Sequence, residues 1–424
     1  MRARASERLL VCYLPGFDLR RITAASCPHV AGLLGTCPWV ALRTLPTVEH
    51  IPTMLTGTWP HQHGLWGPRL IATGGPPSLA QRLIDRLPDL VTTTAQGLGH
   101  LLNGPVDLAT MAPRRRRRFD WVRFKYVKLS QIQRLAEPIN GLASILTVVG
   151  RARGRYLYHE DYRRLPELLD RVATGDYALE IVEEHCLDRL QHWRLDQPQA
   201  IAAFYRGVDD FVERLHDKCR KRGFSLLILS DHGMEPVTTT VDIFADLRAI
   251  DVAPDDYDVY VENTKATFWF HSPRARARIA ARLSGSASGV LLAREDLRRY
   301  RLEFTTGAYG DAYYYASPGC SFFPNDFYQP LASATLALLD WQQRPRLHDP
   351  RHRGDHGYLP EHLCERGFLL LADERYETTA DSISLIDVAP TLLTLLGHRP
   401  APTMRGRNAM RRRARAAAPP AAVS

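Results

Sequence analysis

The residues best suited to chemistry sit in four short clusters, each pairing histidine with a carboxylate or a hydroxyl. Ser230-Asp231-His232-Gly233-Met234 follows the apolar run Phe224 to Leu229, so an aspartate and a histidine stand side by side where a strand should end. Open α/β sheets present ligands at the carboxyl ends of their strands, and Asp with His suits a divalent cation. A turn with a hydrogen-bonded histidine fits this segment equally well on its own. The second cluster, Glu183 to His192, follows the apolar stretch Tyr177 to Val182. Asp188 and His192 are four apart, so a helix there would project both from one face toward one ion. An aspartate placed at the positive end of a helix is the plain alternative.

The third cluster is Gly354-Asp355-His356-Gly357-Tyr358, in a polar, Arg-rich loop where glycines let the backbone approach a ligand closely. The fourth runs from Pro46-Thr47-Val48-Glu49-His50 to Thr56-Gly57 and on through Pro60-His61-Gln62-His63-Gly64. Thr47 is either a helix N-cap or a nucleophile whose hydroxyl a bound metal activates.

Strands and helices must hold these clusters together. Residues 8–68 read as a strand, a helix over Pro28 to Leu34, a short strand and a helix beginning near Thr47. Residues 177–235 read as two strands around a helix from Ile201 to Arg222, whose Phe204, Val208, Phe211, Val212 and Leu215 recur at helical spacing and predict a core face. Residues 70–176 show helical patterning with breaks, one of them at Arg114 to Arg118, and carry no motif.

The 424 residues are enough for one large core with an inserted subdomain, and 45% hydrophobic with 24% charged residues is ordinary for a globular chain. The formal charge is +9. It concentrates in Arg114 to Arg118 and in the six arginines after residue 404, so the rest of the chain is close to neutral and offers no nucleic-acid face. No apolar run is long enough for a membrane span. The apolar stretch after Arg8 is short and interrupted by Pro15-Gly16, which reads as a strand and not a signal peptide. Seven cysteines with no Cys-x-x-Cys pair fit reduced thiols and a cytoplasmic setting. The Arg/Ala/Pro-rich segment 404–424 has no apolar periodicity and is expected to be a disordered basic tail.

Taken in order, the motifs resemble the alkaline phosphatase superfamily, and within it the type I phosphodiesterase/nucleotide pyrophosphatase branch. The resemblance rests on Thr47 nine positions before Thr56-Gly57, Pro60 to Gly64, Asp188 with His192, Ser230 to Met234 and His356-Gly357-Tyr358. Pro318 to Asn325, Ile386 to Leu393 with Gly397, and Arg405-Gly406-Arg407 add to it. It covers residues 8–68, 177–235 and 304–410. It implies an α/β three-layer sandwich with a mostly parallel central sheet, a catalytic domain over 1–403 and an inserted cap subdomain at about 240–350. It also implies a phosphohydrolase that cleaves a phosphate mono- or diester of a small phosphorylated substrate through a phospho-threonine at Thr47. Asp188, His192 and His356 would hold one cation, and Asp231, His232 and the Thr47 hydroxyl a second, with zinc or manganese as the metal. Because neutral imidazoles and ionised carboxylates are required, activity should fall at acid pH.

Two departures stand out. Pro15 occupies the place of the family's first metal-binding aspartate, so Asp18, reached through Gly16, would have to compensate, or else Glu49 or His50. His50 is otherwise expected to contact substrate. Pro68 stands where related nucleotide pyrophosphatases carry an asparagine that helps hold the phosphoryl oxygen. The cap interval is rich in aromatics, from Tyr313 to Tyr328, of which half alternate as in a strand and the rest could stack on an aromatic leaving group. The alternatives are a phosphomutase or sulfatase of the same superfamily, or a metal-poor relative that binds a phosphorylated ligand without turning it over. Neither Cys27-Pro28 nor Cys37-Pro38 supplies the Cys-x-Pro-x-Arg motif of sulfatases.

Overall fold

The computed structural model describes residues 8–67, 69–71, 91, 119–121, 138–328 and 330–413. Arg114 to Arg118, Pro68 and residues 414–424 lie outside them.

Alternation along the first strand, β1 (Arg8–Tyr13), sets the architecture. Leu9, Val11 and Tyr13 enter one apolar core, while Leu10 and Cys12 enter another. A strand buried on both faces must be central and covered on each side by helices. The other strands of this sheet are β2 (Trp39–Arg43), β3 (Gly154–His159), β4 (Leu179–Glu184) and β5 (Phe224–Ser230). A smaller sheet follows, made of β6 (Tyr257–Val261), β7 (Lys265–Phe270), β8 (Gly289–Ala293) and β9 (Ala312–Ala316). Two more strands, β10 (Arg366–Leu371) and β11 (Ser382–Ser384), then return to the main sheet.

The main sheet has seven strands in the order β11-β2-β10-β5-β1-β4-β3. β1 is parallel to both β4 and β5, β3 is parallel to β4 and β11 to β2, and only β10 runs against its neighbours. Helices α1 (Pro28–Thr36) and α4 (Pro198–Arg222) pack on one face; α2 (Ile51–Thr56) and α6 (Val388–Leu395) pack on the other. The expected stripe on α4 is core, with Val208, Phe211, Val212 and Leu215 buried and Phe204 packed at its margin. Between these helices, α3 (Cys186–Arg194) follows β4 and carries Asp188 and His192. The inserted sheet, order β6-β7-β9-β8, has its own helix α5 (Pro273–Ser284) and its own core around Phe268, Tyr314 and Phe322.

Two features depart from the sequence reading. Residues 154–159 form an edge strand where helical patterning was expected, since the six residues Gly-Arg-Tyr-Leu-Tyr-His are too few for periodicity to show. Residues 404–413 do not run free: Met404, Ala409 and Met410 are buried, and Met410–Arg412 pairs antiparallel with Tyr376–Thr378. Two buried methionines and a sheet edge hold a segment whose arginines dominate its composition.

Candidate active site

Asp231 and His232 stand just beyond β5, whose side chains Leu227 to Ser230 are all buried. The close approach of β10 behind them depends on Gly367, where a Cβ would meet the Ser230 carbonyl and the Asp231 backbone. One side chain of α3 comes from the same edge: Asp188 lies against the turn after β1, where Gly16 has φ +69° and a Cβ would meet Asp188 Oδ1 at 3.1 Å. The His356 loop crosses from the far side. Glu365, fully buried just before β10, accepts both Gly357 N–H (2.8 Å) and Tyr358 N–H (3.0 Å), and so fixes that loop.

These separate segments converge. His356 Nε2 lies 3.5 Å from Asp188 Oδ1, and His192 Nε2 lies 3.6 Å from Asp188 Oδ2. His232 stacks on His356 with ring centroids 3.7 Å apart, and its Nε2 is 3.6 Å from Asp231 Oδ1. Potential ligand atoms of Asp188, His232 and His356 all fall within 4.8 Å of one another, as do those of His192, His352 and Asp355. His192 and His356 both face Asp188 and His232 lies beside Asp231, with His232 also within reach of the Asp188 group. The ring stack draws His232 toward Asp188, and His192 faces both groups.

The hydrogen bonds say what these groups can bind. His192 Nδ1 donates to the Gly354 carbonyl at 2.9 Å and His232 Nδ1 donates to the Gly233 carbonyl at 2.8 Å, which turns each Nε2 toward a carboxylate, as an acceptor whenever the ring is neutral. Asp188 Oδ1, Asp231 Oδ1 and His356 Nδ1 are buried without any hydrogen-bond partner. Acceptors facing acceptors across a gap are costly unless a cation fills it. The residues present therefore fit a divalent metal.

The electrostatics agree. Burial pushes the Asp188 carboxyl up, but His192, His185 and His356 outweigh it and hold the group well below the usual range. Burial likewise opposes ionisation of Asp231, and His232 and His50 reverse it. His192 is raised to about 10, against its burial, by Asp188 and Asp355. Burial and the neighbouring His232 lower His356 well below the ordinary imidazole value. One carboxylate cannot keep every surrounding imidazole protonated.

Thr47 is buried at the start of the turn that leads into α2; it is not the N-cap, which is His50. Its hydroxyl accepts from Glu49 N–H (3.1 Å) and donates to the Trp66 carbonyl (3.3 Å). Among the described hydrogen bonds it makes none to Asp231 or His232. His50 does not line an open substrate surface: it is buried, and its Nδ1 donates to Asp231 Oδ2 at 2.9 Å beside the Tyr13 hydroxyl at 2.8 Å. Asp18 does not reach the cluster either. Arg20 takes its carboxylate at 2.7 Å, Met234 N–H adds a 3.3 Å contact, and Gly233 is packed against it so that a Cβ there would meet Asp18 Cγ at 2.6 Å.

Several participants carry no site signal in the sequence. Asp355 Oδ1 accepts from His352 Nδ1 at 2.7 Å and lies 3.3 Å from His192 Nδ1, so it orients both rings. His185 bridges Asp188 (3.2 Å) and Glu183 (3.3 Å). The position of Asp355 directly before His356 was the one available hint; nothing local marks Glu365 or Tyr13.

The chain matches the type I phosphodiesterase/nucleotide pyrophosphatase family over residues 45–359, a span that contains Thr47, Asp188, His192, Asp231, His232 and His356. The chain belongs to that family. It is accordingly a hydrolase acting on phosphoric ester bonds. Its fold is also that of murine ectonucleotide pyrophosphatase/phosphodiesterase 5, free and as an inactive variant in complex with AMP, each at 14% identity and TM-score 0.60, covering 95% of this chain and 97% of the other. The human counterpart gives 15% identity and TM-score 0.57, with 94% and 97% coverage. No protein among those with curated functions matches the chain significantly. Pro15 offers no ligand atom and Asp18 is engaged by Arg20, so Asp231 is the carboxylate on its side of the site, as Asp188 is on the other.

Proposed function

We propose that the chain is a metal-dependent phosphodiesterase with Thr47 as the nucleophile. The observation that carries this reading is the convergence of Asp188, His192, Asp231, His232 and His356, with Asp188 Oδ1, Asp231 Oδ1 and His356 Nδ1 buried and without hydrogen-bond partners. Asp188, His192 and His356 would hold one cation, and Asp231 with His232 a second beside Thr47. Zinc or manganese bound there would acidify a hydroxyl and offset charge on phosphoryl and leaving-group oxygens.

Thr47 is oriented for attack by its bonds to Glu49 and Trp66. A Thr47 Oγ–phosphorus bond forms, the bond from phosphorus to the leaving oxygen breaks, and the hydroxyl proton ends on the departing alcohol. Water then attacks the phospho-threonine, its oxygen stays on phosphorus, and the hydroxyl of Thr47 is regenerated. Gly354, Gly233 and Asp355 keep His192 and His232 in the tautomer this chemistry needs.

A nucleotide-sized diester is the substrate class we favour. The fold relative crystallised with AMP supports it, as does a cavity of about 250 Å³ lined by Trp193, Phe323, Phe327, Tyr328 and His352. Tyr313, Tyr314 and Tyr315 are packing residues, each at most 1% exposed. We also propose a reducing, cytoplasmic setting, supported by seven free cysteines, five of them buried. Among the described residues no helix is long and apolar enough to cross a membrane.

The test is hydrolysis of an aryl phosphodiester, an aryl phosphomonoester and an aryl sulfate with added zinc or manganese, followed by acid quenching and peptide mass spectrometry. Preferential turnover of the diester with a phosphoryl adduct on Thr47 is the expected result. Metal-independent turnover, or an adduct elsewhere, would sink the assignment.

A further inference from the structure

Lys265 is one of only five lysines in a chain with fifty arginines, and it is buried. It opens β7, on the hairpin turn between β6 and β7 that reaches down from the inserted sheet onto the site. Every residue of that turn touches the catalytic surroundings. Asn263 Nδ2 meets His352 Nδ1 at 3.0 Å, and Thr264 Oγ1 donates to the His356 carbonyl at 2.8 Å. Lys265 Nζ lies 4.8 Å over the Trp66 ring and 3.8 Å from where a Cβ on Gly67 would stand.

Those contacts surround the nucleophile from two sides. Trp66 is the residue whose carbonyl accepts the Thr47 hydroxyl. On β9, Tyr315 is the register partner of Lys265, so the two share a face. The Tyr315 hydroxyl donates at 2.6 Å to the carbonyl of Pro46, directly before Thr47. Among the described residues the acid on the ammonium is Glu262 of the same turn, Oε2 at 2.9 Å, and Glu262 Oε1 is buried without a hydrogen-bond partner. An ammonium held in an apolar wall by a half-satisfied carboxylate, over the ring of the residue whose carbonyl takes the Thr47 hydroxyl, is placed to receive a second anion.

We infer that Lys265 binds a non-bridging oxygen of the phosphate at Thr47, so that the inserted sheet contributes a substrate-binding cation to the site. The inference rests on Thr47 being the nucleophile. Closing the hairpin over the site and neutralising the phosphate are then one event, because the residue that carries the charge is anchored to Trp66 and, through Tyr315, to Pro46.

The experiment compares wild type, Lys265→Met, Lys265→Arg and the double variant Glu262→Gln/Lys265→Met, all supplemented with manganese. Inorganic phosphate is the probe, and its affinity is read from the phosphate dependence of the unfolding temperature. KM and kcat for an aryl phosphodiester are measured alongside, with bound metal by mass spectrometry. Lys265→Met should weaken phosphate binding and kcat/KM by roughly 10- to 100-fold, the scale of a lost charge-assisted hydrogen bond, with metal content unchanged. Lys265→Arg should recover most of the phosphate affinity. The double variant, which removes the unpaired buried carboxylate, should regain thermal stability without regaining phosphate affinity. Wild-type phosphate affinity in Lys265→Met or in the double variant would reduce Lys265 to a structural ion pair. Failure of the Thr47 reading would show separately, as a wild type that does not hydrolyse the diester while the phosphate titrations still report on Lys265.

Discussion

His50 Nδ1 donates to Asp231 Oδ2 at 2.9 Å, and the Tyr13 hydroxyl donates to the same oxygen at 2.8 Å. The Asp231 carboxylate is thereby engaged on one oxygen, while its Oδ1 has no hydrogen-bond partner among the described residues and has His232 Nε2 nearby at 3.6 Å. Asp188 differs, because imidazoles of His192, His356 and His185 approach it from three directions. On the proposed reading, two cation positions of unequal strength are expected.

Replacing Thr47 with alanine should abolish phosphodiester turnover while leaving the protein folded, because the lost contacts to Glu49 and Trp66 amount to about 0.5–2 kcal/mol. Thr47→Ser should keep a fraction of the activity. Steady-state rates and far-UV circular dichroism on the same preparations decide it; wild-type turnover in the alanine variant would end the nucleophile assignment.

The stronger cation position should depend on Asp188 and His356 together. Either Asp188→Asn or His356→Ala is expected to remove about one metal equivalent, measured by inductively coupled plasma mass spectrometry after gel filtration. Unchanged stoichiometry in both would mean the convergence at 3.5 Å is only a hydrogen-bonded cluster.

Pro15 and Asp18 make opposite predictions. Pro15→Asp should lower the zinc or manganese concentration needed for half-maximal activity, since it returns a carboxylate to the turn beside Asp188 and Asp231. Asp18→Asn should leave that concentration alone and instead destabilise the fold by about 1–3 kcal/mol through its bonds to Arg20 and Met234. Metal titrations in which Asp18→Asn alone shifts the midpoint would reverse this account.

Glu184 offers a pH test away from the ligands. Burial raises its carboxyl to about 6, against the pull of Cys186 N–H at 2.8 Å. A folded value above the unfolded one means its contribution is fully present below about pH 4.5 and is lost as pH rises through 6, a change of roughly 2 kcal/mol. Glu184→Gln should therefore stabilise the protein by about that amount at pH 8 and hardly at all at pH 4. Equal effects at both pH values in urea titrations would show that ionisation is not the cause.

The sequence by itself determined the pieces that local chemistry encodes. The short apolar run Leu9 to Tyr13 and the spacing on α4 identified a buried strand and a packed helix, because apolar run length and periodicity follow from backbone geometry. The i,i+4 placement of Asp188 and His192 on one helix was legible for the same reason. Thr47, Asp231, His232 and His356 were legible as an ordered set of motifs, and the absence of a carboxylate at Pro15 was visible as a substitution. Only the tertiary structure decided which groups meet. It gave Asp18 to Arg20 and His50 to Asp231, and it set Asp355 and Glu365 behind the ligands. It also brought Lys265 from a separate sheet over the ring of Trp66, whose carbonyl takes the Thr47 hydroxyl. The pairings of His50 with Asp231, of Asp355 with His192 and of Lys265 with Trp66 join segments far apart in the chain, where no local spacing rule reaches, while Asp18 was close to Arg20 in sequence but took its role from the packing of Gly233 and Met234 against it.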